Sequence, residues 1–127
     1  AADDRLRARL ASALDLYRGD FLDDAEPGPW AMELRDRLRR LHVDALLALG
    51  TLHLDRGLPE QAEAAFRRII AGDDLNEPAY RGLMRALLVS GQRGEALRLF
   101  QRLEALLRTE LDAEPEPATV DLVRAIV

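Results

Sequence analysis

The chain has 127 residues, 48% of them apolar and 32% charged, which is enough for one domain with one modest core. Its net charge of −5 and pI of about 5.1 argue against a free-standing DNA-binding module, because such a module needs a basic face to displace counterions. The absence of cysteine excludes disulfides, thiolate metal sites and cysteine nucleophiles, and no apolar run approaches the ~18 residues of a membrane span.

The 18 basic residues are all arginine, which points to a GC-rich coding sequence rather than to a mechanism. The first ten residues, AADDRLRARL, carry no signal peptide, so the expected location is the cytoplasm. A start without methionine suggests a piece of a longer chain.

Leu6, Leu10, Ala13, Leu14 and Tyr17 line one face of a first helix over residues 2–17, and Gly19 ends it. The following GDFLDDAEPGPW reads as a loop, pinned to the helices by Phe21, Leu22 and Trp30. From Trp30 to Arg56 there is no proline, and Leu34, Leu38, Leu41, Ala45, Leu49 and Leu52 recur at steps of three or four. These residues predict one amphipathic helix of roughly 40 Å. Gly50 lies inside it where close helix contact calls for a small residue, and Gly57 is its stop.

Pro59 opens the next helix, with Ala62, Phe66, Ile69 and Ile70 inward and an end near Gly72. Asn76 is the N-cap of another helix that begins with Glu77 and Pro78 and buries Tyr80, Leu83, Met84, Leu87 and Leu88. Gly91 ends it. Its partner carries Ala96, Leu99, Phe100, Leu103, Leu106 and Leu107 on one stripe. In the tail, Pro117 starts a short last helix with Val120, Leu122, Val123 and Ile126. At most seven helices and no strand are expected.

Gly57, Ala62 and Phe66 recur as Gly91, Ala96 and Phe100 at an offset of 34 residues, and Leu46 and Leu49 recur as Tyr80 and Leu83. A 34-residue period of helix–turn–helix units is the tetratricopeptide (TPR) signature. The predicted fold is therefore all-α: a TPR-like array of antiparallel helix hairpins. Its two units are 43–76 and 77–110, and the first helix and the tail helix cap the ends.

No catalytic, metal or cofactor site assembles. His42 and His53 stand eleven residues apart on one helix, about 16 Å along its axis, too far to share a metal. Asp23, Asp24 and Glu26 lack calcium-loop spacing and read as solvated loop acids. Ser12 and Ser90 lie in no nucleophile motif, and there is no phosphate-binding glycine pattern. A small helical enzyme is thus disfavoured.

Two features admit a contact reading. Arg35, Arg37, Arg39 and Arg40 either meet phosphates or form a solvated face through Glu33–Arg37 and Asp36–Arg40 pairs. Arg81, Arg85 and Leu88, with Leu47, Thr51 and Leu54 from the first unit, fall on the face that a TPR array turns to its groove. There they offer a surface for an acidic peptide. The alternative for Arg81 is a simple pair with Glu77.

LDLYRGDFLDD (14–24), Trp30 opening the RDRLRRL helix, and LNEPAYRGLMRALLVSGQRGEALRLFQRLEALLRTELDAEPEP (75–117) together resemble the bacterial transcriptional activator domain of SARP-type regulators. The resemblance spans about 14–126, in a single domain of 1–127. It implies a non-enzymatic domain for dimerisation and transcription activation. The implied partner is a protein, either a second copy or the transcription machinery, and DNA is reached only through a separate winged-helix domain. A TPR-like adaptor in a non-transcriptional signalling protein is the alternative. Asp112 stands where the family often has glycine, and Asp74 and Arg108 stand where TPR units often end on proline. Aspartate tolerates the left-handed backbone that such a glycine supplies.

Overall fold

A computed structural model of the chain describes residues 2–17 and 28–127, with the side chains of 4–11 and 28–127. The expectations for Phe21, Leu22, Asp23, Asp24, Glu26 and Gly19, and for the side chains of Ser12, Ala13, Leu14 and Tyr17, lie outside the described residues. The described residues form six helices and no strand: α1 (Ala2–Tyr17), α2 (Pro29–Asp55), α3 (Pro59–Gly72), α4 (Glu77–Val89), α5 (Arg93–Leu111) and α6 (Pro117–Ile126).

Local chemistry places each break. Pro59 starts α3 and Pro117 starts α6, each in a first turn whose N–H groups have no partner within the helix. Asn76 caps α4, its side chain accepting from Ala79 N at 3.1 Å. Gly57 and Gly91 take φ of 71° and 78°, in the left-handed region open to glycine. The two turns repeat bond for bond. Gly57 N and Leu58 N donate to Leu54 O and His53 O, and 34 residues later Gly91 N and Gln92 N donate to Leu88 O and Leu87 O. Both are Schellman closures, which fold the chain back within a few residues. Asp112 ends α5 at φ 48°, filling the left-handed position that glycine often holds.

Consecutive helices pack on one another, and α4 sits at the centre, against α2, α3, α5 and α6. Eight of its 13 residues are buried, so hydrophobic burial fixes this helix from several sides. The core runs through Leu46 and Leu49 of α2, Phe66 and Ile69 of α3, Tyr80, Leu83, Met84 and Leu87 of α4, and Leu99, Leu103 and Leu107 of α5. Ala62 and Ala96 are both fully buried.

Phe66 organises the first half. Its ring, 2% exposed, lies against both Gly50 of α2 and Gly82 of α4. A Cβ added at Gly50 would stand 2.6 Å from the ring, and one at Gly82 closer still. Both positions must therefore lack a side chain for three helices to close around one phenyl group.

Two inward expectations are corrected. Trp30 is 72% exposed and Leu41 58% exposed, so neither is a core anchor. The helix stripe continues through them, but α3 and α4 meet the second half of α2. The α1 helix also lies there, with Asp4 paired to Arg56 and Leu10 on the core. In the first half of α2, Ala31 is buried and Leu34 and Leu38 are half-buried, while Trp30 and Leu41 turn outward. Phe100 is half-buried and packs against the core, as its place on the α5 stripe implies.

Candidate functional site

The second half of α2 and the whole of α4 leave a groove between them. Residues at steps of three or four share a helix face. On α2 that spacing brings out Leu47, Thr51, Leu54 and Asp55; on α4 it brings out Pro78, Arg81, Gly82, Arg85, Leu88 and Val89. The edge of Phe66 contributes to the floor, and the groove encloses about 730 Å³. All six residues nominated from the sequence (Leu47, Thr51, Leu54, Arg81, Arg85 and Leu88) line it. Asp55 and Val89 were not anticipated, although both continue the same helical faces.

The walls are chiefly aliphatic. Thr51 does not present a free hydroxyl, since its Oγ1 donates to Leu47 O at 2.9 Å within its own helix.

The two arginines differ in a way the sequence did not disclose. Arg81 Nη1 donates to Thr119 Oγ1 at 3.0 Å and to Glu116 Oε1 at 3.4 Å, and lies 4.0 Å from Glu77 Oε2. Its side chain is 16% exposed. The simple Glu77 pair is therefore present, but it is the longest of three contacts. Arg85 is exposed and has no partner among the described residues. The expected pair of groove arginines thus becomes one available cation, with the other fastened to α6.

That fastening is a buried polar cluster. Glu77 Oε2 accepts from Thr119 Oγ1 at 2.7 Å and from Glu116 N at 2.9 Å. Both Thr119 and Glu77 are buried. The Glu77 carboxylate sits at the first turn of α6, where unpaired N–H groups and the helix dipole favour a negative charge. The sequence shows Glu77 only as a first-turn acid of its own helix. No local signal links it to a threonine 42 residues on.

The remaining candidates are structural. His53 is half-buried, and burial first, then the Arg7 charge, holds its imidazole below the ordinary histidine range. Tyr80 donates from its hydroxyl to Asp74 O at 2.8 Å. Its phenol is pushed above the ordinary value by burial first, with Asp74 and Asp73 adding to the shift and Arg102 opposing it.

The arginine run on α2 does not form a stripe. At about 100° per residue, Arg35 and Arg39 turn to one side of the helix and Arg37 and Arg40 to another. An ion pair on this stretch joins Asp36 to Arg39 at 3.8 Å, one residue short of the expected i,i+4 partner. Among the described residues no group of three or more His, Cys, Asp or Glu side chains is placed to hold a metal ion. No helix among them is long and apolar enough to cross a membrane.

Among the described residues six helices pack in chain order, which defines an all-α domain. The particular kind follows from the sequence: the chain belongs to the bacterial transcriptional activator domain family, whose sequence model matches residues 2–127. It is 33% identical over its whole length to the regulatory protein AfsR of Streptomyces coelicolor and 32% identical to AfsR of Streptomyces griseus. It is 32% identical over 98% of its length to the regulatory protein DnrI of Streptomyces peucetius. The chain spans 13% of the length of each AfsR protein and 46% of DnrI. The match bears out the resemblance to the bacterial transcriptional activator domain of SARP-type regulators.

Proposed function

We propose that this chain is the protein-interaction domain of a cytoplasmic bacterial transcription regulator. It supports activation by contacting another protein through the α2/α4 groove, while a separate domain contacts DNA. The observation that carries this reading is the groove itself, about 730 Å³ of mainly aliphatic surface between two helices. The acidic net charge of −5 is consistent with leaving DNA to another domain. Two TPR-like units, 43–76 and 77–110, account for the groove's geometry, and the matching closures at Gly57 and Gly91 support that division.

The test is a promoter-reporter assay with the regulator carrying Leu54→Asp and Leu88→Asp. Activation is expected to fall about tenfold or more, as for loss of a central contact. Because both leucines also pack against the core, the exposed-site variant Val89→Asp, which should keep the thermal midpoint and DNA affinity, is measured beside it and should lower activation as well. Full activation with the groove so charged would refute the groove as the contact surface.

Self-association is the second part of the proposal, and the first half of α2 supports it. Trp30, Leu34, Leu38 and Leu41 lie along one side there, and Trp30 and Leu41 are mostly exposed. Sedimentation of the chain is expected to show a dimer that Trp30→Ser with Leu41→Ser weakens by about a hundredfold. A monomer at high concentration in the unsubstituted chain would end this part.

A further inference from the structure

The walls of the groove restrict what fits it. Each wall is an α-helix whose interior N–H and C=O groups already bond one another, and the Thr51 hydroxyl is turned onto Leu47 O. An extended peptide laid there would set most of its backbone N–H and C=O groups against aliphatic side chains, with only the Arg85 and Asp55 side chains at the rims to receive them. Strand addition has no edge to join. A helix arrives with its backbone satisfied and presents a stripe of apolar side chains. Leu47 and Leu54 on one wall and Leu88 on the other supply the matching surface.

Charge adds a second condition. Arg81 is held by Thr119, Glu116 and Glu77, so its charge is already compensated. Arg85 on the α4 wall and Asp55 on the α2 wall are both exposed and have no partner among the described residues. The groove therefore has one available positive rim and one available negative rim.

We propose, building on the groove reading above, that the occupant is an amphipathic helix of a protein partner. It is seated with an acidic side chain toward Arg85 and a basic one toward Asp55. Arg81 is a positioning residue that ties the α4 wall to α6, and Arg85 reads the partner's carboxylate. The two rims together fix the helix's direction in the groove, because reversing it would set like charges against each other.

The probe is a synthetic 18-residue peptide with leucines at i, i+3, i+4 and i+7, glutamates along one edge of that stripe and arginines along the other. Its binding to the full chain is followed by fluorescence anisotropy. Arg85→Glu is expected to weaken it about tenfold, and a peptide with arginine in place of the glutamates is expected to recover that loss on the Arg85→Glu chain while binding the unsubstituted chain poorly. A variant with two central prolines should lose binding altogether.

Failure of the charge-reversed peptide to rescue Arg85→Glu overturns the assignment of that rim. Equal binding by the proline variant overturns the helix. No binding by any of the peptides overturns both, while the reporter assay still judges the groove. If Leu54→Asp leaves peptide binding intact, the groove is not the site and this inference falls with it.

Discussion

Phe66→Ala is expected to remove roughly 3–5 kcal/mol of stability, a large share of what a domain of this size has in total. The ring is 2% exposed and fills the junction of three helices. Its neighbours on two sides are Gly50 and Gly82, which have no side chain to move into the space. The cavity would therefore persist, and a persistent cavity carries the high end of the cost. Phe100, the residue 34 positions on, is half-buried, and Phe100→Ala is expected to cost only about 1–2 kcal/mol by burial of less apolar area. Urea denaturation of the two variants separates these values directly. Equal losses would mean that the phenyl groups occupy equivalent environments, contrary to the packing described here. Gly82→Ala gives an independent check: its Cβ would overlap the Phe66 ring, so a residue that normally favours helix should here destabilise.

Much of this arrangement was legible in the sequence because its determinants are local. Gly57 and Gly91 had to be turns, Pro59 a helix start and Asn76 a cap, and each is. The face that the TPR-like pattern turns to its groove sufficed to select six residues that line one groove. Periodicity identifies an apolar stripe, however, and says nothing of what covers it. That is why Leu41 and Trp30, sound members of the α2 pattern, emerge exposed. Gly82 shows the opposite gap. In a helical sequence it reads as a cost of about 1 kcal/mol relative to alanine; its reason is the Phe66 ring, sixteen residues earlier and on another helix. Arg81 was ambiguous because its decisive partners, Glu116 and Thr119, lie 35 and 38 residues away.

The NEPAYRG stretch, which carries much of the family resemblance, can now be read one side chain at a time. Asn76 caps α4, Glu77 and Arg81 hold α6, Tyr80 is tied to Asp74 O, and Gly82 admits Phe66. The motif is a packing and capping device, whereas Arg85, one turn beyond it on the same helix, faces the groove. This separates two kinds of arginine on one helix: changing Arg81 should alter the fold's last element, and changing Arg85 should alter contact alone.

Glu77→Ala tests the first half of that statement and is expected to detach α6. Three groups lose their acceptor at once: the Thr119 hydroxyl, the Glu116 N–H and the Arg81 guanidinium. The threonine is fully buried, so its hydroxyl has no water to turn to. Leaving buried donors unpaired costs about 1–3 kcal/mol each when they cannot relax, and more where a charge loses its partner. The helix can avoid that cost only by leaving its seat, and its apolar contacts oppose this weakly, since Leu122, Val123 and Ile126 are only partly buried. Hydrogen exchange should therefore accelerate across 117–126 by about a hundredfold or more, corresponding to ~3 kcal/mol of local stability, while the α3 and α4 amides keep their protection. Glu77→Gln keeps one carbonyl oxygen for Thr119 and Glu116 N but gives up the charge facing Arg81, and should fall between the two. Unchanged exchange across 117–126 in Glu77→Ala would show that apolar packing alone seats α6 and that the polar cluster is incidental.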